Sequence, residues 1–438
     1  MKCAVVVPVG PGHEYLVEDC IESVHQAFAA DRGPFAELSV VRVEDAQGLL
    51  GRSAARNRGV AEARKQDAQW VFFLDADDLM HPHAFASVAP HVGEWDAIWG
   101  AICELAPDES GGLIRPGQIE KIRGITDLLV HEPWLTLQMG HFVRTRVAQD
   151  NPFNVGLNCG EDFDYYLRLW SACRCTKLPV PLFYNRRGFQ STGPRSATGS
   201  DWTRAVTSML AEQCAARGLK ARFTLEGEAF EFCISNPFDM LQRHFLVGRF
   251  FEQRELHALR ALLSPGLTLL EVGANVGNHV VYYARFLRPR KIIVLEPFAR
   301  AILDLKRNLE LNGAACADLT LVGIAAAEVR RRYTAVAPDP NDLGATRLIA
   351  AGDGAIEAAP LDELVREPVD FVRIDVEGME MEVLAGATEL IGRRRPKLMV
   401  EVGNEKHAAF ERWCKDMAYR ITHRFAYMHA ANFIVEPK

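Results

Sequence analysis

The sequence predicts an α/β protein of two successive domains, and three observations carry that reading. Strand-like apolar runs alternate with helical runs from one end to the other, the pattern of parallel sheets covered by helices. Two of those strands end in chemistry. One closes in the carboxylates Asp75, Asp77 and Asp78, the other in the glycine turn Glu271-Val-Gly273-Ala-Asn275-Val-Gly277. Between them lies a polar, glycine-rich stretch, Arg186 to Ser200, which reads as a mobile loop. At 438 residues the chain exceeds one ordinary core, so roughly two or three domains are expected.

Taken in order, Ala4 to Val7 is a first strand, and Tyr15 to Phe28 is a helix with apolar positions at Leu16, Cys20, Ile21 and Val24. Leu38 to Val43 is the second strand, and the alanine- and arginine-rich run Ser53 to Gln66 is helical. Trp70 to Leu74 is the third strand. A helix from Asp201 to about Arg217 leads away from the polar loop. The pattern restarts near Phe223, and Phe250 to Leu263 is amphipathic at helical period. These shifts place one domain at 1–200, a linker at 201–225 and a second domain at 226–438.

Composition narrows the class. A content of 48% hydrophobic and 24% charged residues is that of a globular protein. A formal charge of −7 argues against a general nucleic-acid binder. No run approaches the about 18 apolar residues of a membrane span. The start reaches Pro8 too soon for a signal-peptide core and reads as a strand. The ten cysteines are scattered, several in apolar runs, which is the usage of reduced thiols and points to the cytoplasm. Cys173 and Cys175 form a close pair, but no further ligands stand at zinc spacing.

The carboxylates at the Trp70 strand end are like charges that a cation would neutralise. Hard oxygen ligands suit magnesium or manganese, which would in turn hold a diphosphate. In the second half, the strand run Lys291 to Phe298 ends in an acid, Glu296, roughly 20 residues after the glycine turn, where a ribose-binding acid is expected. That pairing suits NAD or S-adenosylmethionine. The acid Glu271 just before the turn favours a cofactor with a cationic amino-acid tail over a pyrophosphate. Short basic runs at Arg330 to Arg332 and Arg393 to Arg395 read as solvated turns. His81 and His83 read as surface or capping groups. Trp134 and Trp170 are assigned to core or cleft walls.

Several further segments stand in a recognisable order. They are Val5-Val-Val-Pro8, Arg52-Ser-Ala-Ala-Arg56-Asn57-Arg-Gly59, Asp75-Ala-Asp77-Asp78, Asn158-Cys-Gly-Glu161-Asp162, and Val180-Pro-Leu-Phe-Tyr184-Asn-Arg186. In these the chain, over about residues 1–195, resembles the family 2 type of GT-A glycosyltransferases. The resemblance implies inverting transfer of a sugar from a nucleotide-diphosphate donor to an acceptor hydroxyl. It implies a divalent metal (Mn2+ or Mg2+) held by Asp77 and Asp78, and donor contacts at Pro8, Arg56 and Asp75. Arg56 and Arg186 would offset diphosphate charge. Asp162 would be the general base, aided by Glu161. Where the family usually carries an aspartate-rich turn after its second strand, this chain has only Glu44 and Asp45: either the element is deleted or these two residues stand in for it. No processive-synthase segment is present, which favours a single addition.

The later segments are Phe251-Glu252, Glu271 to Gly277, Val294-Leu-Glu296-Pro297, Asn341 to Arg347, Val369 to Glu380 with Asp375-Val-Glu377-Gly378, and Leu398 to Val402. In these the second half resembles the FkbM family of S-adenosylmethionine-dependent methyltransferases. That implies a Rossmann-like class I fold and O-methylation, often of a sugar. Glu271, Gly273, Asn275, Gly277, Asn278 and Glu296 would bind the cofactor. Asp375, Glu377 and His407 are the candidate catalytic groups. Together the two resemblances imply a bifunctional enzyme acting on a glycan or lipid-linked glycan, with a bacterial surface polysaccharide precursor as the expected acceptor and peripheral contact with a membrane. The rival readings are a non-catalytic glycan-binding first half beside an active methyltransferase, and a methyltransferase acting on protein or a small molecule.

Overall fold

In the computed structural model the described residues are 1–106, 111–186, 196–336, 344 and 346–438. The polar loop expected over 186–200 and the segment 341–347 therefore fall largely outside them. The chain divides into two compact units, Met1–Gln213 and Cys214–Lys438. No helix among the described residues is long and apolar enough to cross a membrane.

The first unit holds a six-stranded sheet in the order Glu37–Glu44, Lys2–Val9, Trp70–Phe73, His141–Arg144, Ala97–Trp99, Cys175–Lys177. The strand Lys2–Val9 alternates cleanly. Cys3, Val5 and Val7 face one core with Trp70, Phe72 and Phe142, while Val6 faces the Arg52–Lys65 helix. At Gly59 a Cβ would stand 2.2 Å from Val6 Cγ1, so a glycine is what lets that helix lie against the strand. Gly59→Ala should therefore destabilise this unit by about 1–3 kcal/mol through overpacking, read as a lower denaturation midpoint.

The expected parallel pairing holds for three of the five strand pairs of this sheet and fails at one strand. His141–Arg144 runs antiparallel to both of its neighbours. The reason is where the chain re-enters. It leaves the sheet at Trp99, and His141 pairs directly with Trp99, so the return begins at the end the chain left by. A parallel strand needs a crossover back to the opposite end.

The second unit opens with a hairpin, Lys220–Leu225 and Glu228–Cys233, turned by Glu226 and Gly227 at positive φ. Residues 220–225, expected as linker, are thus strand. Its main sheet has seven strands in the order Ala317–Asp318, Lys291–Leu295, Thr268–Val272, Phe371–Ile374, Lys397–Gly403, Ala430–Pro437, Tyr419–Ala426. The first five are parallel, and the last two close the edge as an antiparallel hairpin. Strand order reverses between Thr268–Val272 and Phe371–Ile374, the place where open α/β sheets bind ligands. A separate four-stranded sheet, unforeseen in the sequence, comprises Ile324–Ala326, Arg331–Val336, Arg347–Ala350 and Ile356–Ala359.

Candidate functional site

The Trp70–Phe73 strand is wholly buried, and so is Leu74 after it, so the chain can turn polar only beyond the sheet edge. Asp75 comes first, and Arg56 Nη2 donates to its Oδ1 at 2.7 Å. The other guanidinium arm, Nη1, donates to Glu161 Oε1 at 3.1 Å. Burial opposes charge on Arg56, yet Asp75 and Glu161 together hold it firmly protonated. Burial likewise opposes charge on Asp75, and Arg56 draws it below its usual range. Arg56 was expected at the donor diphosphate. It is 4% exposed and its two arms hold Asp75 and Glu161.

Asp78 also departs from expectation. Its Oδ1 accepts from Asn185 Nδ2 at 3.1 Å and from the Arg186 backbone N–H at 3.0 Å. It points inward, 3% exposed, and anchors the segment after Phe183–Tyr184. Burial, then Asp77 and Asp75, push its carboxyl well up. A metal role for Asp78 is not what this geometry favours. Asp77 differs. Burial and Asp75 raise it to about 6, and His13 Nε2 stands 3.9 Å from its Oδ2. His13 is 7% exposed, and its Nε2 has no hydrogen-bond partner among the described residues. A divalent cation fits there, with an anionic oxygen and an imidazole nitrogen as hard and borderline donors. His13 carried no sequence signal beyond its place in the loop after the first strand. Arg186 Nε donates to the Asp77 carbonyl at 2.7 Å. Pro8 stays within the first strand, opposite Val43. Asp45 is occupied in holding the Leu50 and Gly51 backbone N–H groups.

Glu161 and Asp162 begin the helix Glu161–Ala172. Glu161 is 2% exposed and tied to Arg56. Asp162 accepts from the Trp202 indole N–H at 3.0 and 3.1 Å and from Phe163 N–H at 2.9 Å. Burial, then Glu161, raise it to about 6, with Trp202 pulling the other way. An acid so placed can lose and regain a proton near neutral pH.

In the second unit the carboxyl ends of Thr268–Val272 and Phe371–Ile374 flank a cavity that opens to solvent. Its walls include Gly273, Asn275, Glu296, Phe298, Asp375 and Glu377. Gly273 has φ +90°, and a Cβ there would stand 1.8 Å from the Asp375 carbonyl oxygen. Only glycine lets the turn pass this close to the end of the neighbouring strand. Glu296 accepts from Asn275 N–H at 2.7 Å and Phe298 N–H at 2.8 Å, and burial raises it to about 7. Asn275 Oδ1 is buried without a partner among the described residues. An adenosine with its ribose hydroxyls suits this cradle of bare backbone, acid and unfilled acceptor.

Glu271 does not line the cavity. It lies beneath, 1% exposed, with Oε1 accepting from Arg373 Nη1 at 2.9 Å. Burial lifts it to about 7 against the pull of Arg373. Arg373 is the hub that the sequence left unread. It also bonds Glu252 Oε2 at 3.2 Å and Asp375 Oδ2 at 2.7 Å. His279 Nε2 stands 3.0 Å from Glu252, and burial lowers that imidazole to about 4, so it is neutral. Asn278, expected at the cofactor, is 1% exposed and clasps the Phe251 backbone through both amide atoms. Gly277, at φ +89°, caps the short helix Asn278–Tyr282 and is not among the cavity walls. His407 is likewise absent from the walls, and its Nε2 lies 3.1 Å from the Val402 carbonyl. Asp375, Glu377 and Glu401 bring oxygens within 4.8 Å of one another. Crowding by Asp375, together with burial, pushes Glu401 to about 10, so it carries a proton at neutral pH.

Residues 22–167 match the model of the Glycosyl transferase family 2 domain. Residues 271–421 match that of the Methyltransferase FkbM domain. The chain carries both domains. No curated protein matches it. Among solved structures it is similar to Staphylococcus aureus TarS 1-349 in complex with UDP-GlcNAc: 16% identity, 49% of this chain, 66% of that chain and a TM-score of 0.36. It is also similar to a putative Streptococcus mutans methyltransferase in complex with SAH, at 10% identity, 42% of this chain, 96% of that chain and a TM-score of 0.30.

Proposed function

We propose that the family 2 domain transfers a sugar from a nucleotide-diphosphate donor to an acceptor hydroxyl with inversion, and that the FkbM domain O-methylates a glycan hydroxyl with S-adenosylmethionine. The supporting observation is that each family segment carries its own acid-bearing strand end, in its own compact unit. In the first, Asp162 accepts the acceptor's proton while Arg56 keeps Asp75 and Glu161 in place. Asp77 with His13 would hold a divalent cation, which when bound neutralises the leaving diphosphate. In the second, Gly273, Asn275 and Glu296 would seat the methyl donor, whose sulfonium supplies the methyl group. Asp375 and Glu377 stand at the cavity to receive the acceptor. Methyl transfer is chiefly a matter of holding the two reactants in line.

A screen of nucleotide sugars with and without Mn2+ tests the first half, and calorimetric titration with S-adenosylmethionine tests the second. The Asp77→Asn protein is expected to lose metal-dependent donor binding and keep S-adenosylmethionine affinity. Sugar transfer should rise with pH through about 6 as Asp162 ionises, since only the anion can take a proton. A flat rate between pH 5 and 8 would contradict that assignment. The missing aspartate-rich turn, with Asp45 used to hold backbone, favours one rival: a glycan-binding first half without transfer. That rival predicts glycan binding and no donor turnover in the unmodified protein.

A further inference from the structure

The helix Gly199–Arg217 lies beyond the residues that match the glycosyltransferase model. Its start is fixed by a capping box. Thr198 Oγ1 accepts from Asp201 N–H at 3.2 Å, and Asp201 Oδ2 accepts from Thr198 N–H at 3.1 Å. The next residue, Trp202, is thereby held in the first turn. Its ring meets Phe163 edge-on at 5.8 Å, and its indole N–H reaches both oxygens of Asp162.

We propose that Trp202 is a positioning residue of the sugar-transfer site, whose indole N–H orients the Asp162 carboxylate and favours its ionised form. The proposal rests on the reading of Asp162 as general base. Oδ1 already takes two donors, Trp202 and Phe163, whereas Oδ2 takes Trp202 alone among the described residues. A carboxylate oxygen has a second lone pair, so Oδ2 is the atom that accepts the acceptor's proton. In that step the acceptor O–H proton passes to Oδ2 as the new glycosidic C–O bond forms. The anomeric C–O bond to the diphosphate breaks, and the nucleoside diphosphate leaves with the electron pair. Among the described residues, the charged and titratable groups acting on or facing Asp162 include Glu161, Arg56, Tyr166 and Cys159. Glu161 works against ionisation, and Arg56 and the indole work for it. Trp202 supplies a neutral donor, so it stabilises the anion without adding a fixed charge that would repel or bind the donor's phosphates.

Trp202→Phe keeps the ring against Phe163 and removes only the N–H. The expected result is an acid limb of the kcat/KM profile about one pH unit higher, from the loss of one charge-assisted hydrogen bond, with donor KM unchanged. An unmoved limb, or loss of donor binding in its place, overturns the proposal. A second measurement needs no turnover. Of the seven tryptophans, the Trp202 indole 1H–15N resonance, identified by its absence in Trp202→Phe, should titrate with a midpoint near that of Asp162 and fall silent in Asp162→Asn. An indole signal indifferent to pH and to Asp162→Asn overturns the proposal as well. A signal that titrates in a protein transferring no sugar from any nucleotide donor sinks the general-base reading instead, and the catalytic role of Trp202 with it.

Discussion

Asp162→Asn should lower sugar transfer by about 10²- to 10⁴-fold, the range a positioned general base contributes, while methyl transfer stays at its original rate. The amide is isosteric and can still accept from Trp202 and Phe163, so the helix start at Glu161 keeps its shape. What disappears is the capacity to take a proton. The loss should fall on kcat with donor KM little changed, because the proposed function puts the donor's phosphates on the Asp77 side. A drop confined to KM would assign Asp162 to binding instead.

The largest expected effect on stability is at Arg373. This guanidinium is 3% exposed and serves Glu252, Glu271 and Asp375 at once. Arg373→Met keeps much of the volume and takes the shared cation from two buried carboxylates, Glu252 and Glu271, and from the partly exposed Asp375. Removing one partner from a buried ionic cluster costs about 3–5 kcal/mol, and the second unit should unfold at correspondingly lower denaturant. The sign of the pH dependence follows. Without Arg373 the orphaned carboxylates must take up protons to remain buried, so the variant should recover stability as pH falls from 8 toward 5. Equal loss at both pH values would mean that packing, not charge, dominates at this position.

Much of this architecture was legible because strand ends announce themselves. Apolar runs that stop in Asp75 or in the Gly273 turn mark the carboxyl edges of sheets, and both candidate sites are read there. Gly59 and Gly273 were readable as glycines in motifs, and the packing gives each its reason: contact with Val6 in one case and with the Asp375 carbonyl in the other. Other parts were hidden because they depend on pairings between distant residues. Arg373 and Glu271 are 102 residues apart, and Trp202 and Asp162 are 40 apart. Neither partner pattern leaves a local periodicity. Type and spacing alone also do not reveal that Asp78 Oδ1 and the Asn278 amide turn inward to hold backbone. The antiparallel strand His141–Arg144 was missed because direction in a sheet is set by where the chain re-enters.

The central claim is that one chain holds two separable transfer activities. Its most direct test is mass spectrometry of a glycan acceptor incubated with the purified protein, nucleotide sugar, Mn2+ and S-adenosylmethionine, with Asp162→Asn and Gly273→Ala run alongside. The account predicts a glycosyl and a methyl increment from the unmodified protein, the methyl increment alone from Asp162→Asn supplied with pre-glycosylated acceptor, and the glycosyl increment alone from Gly273→Ala. A product that never gains a glycosyl unit, or variants that lose both increments together, contradicts it.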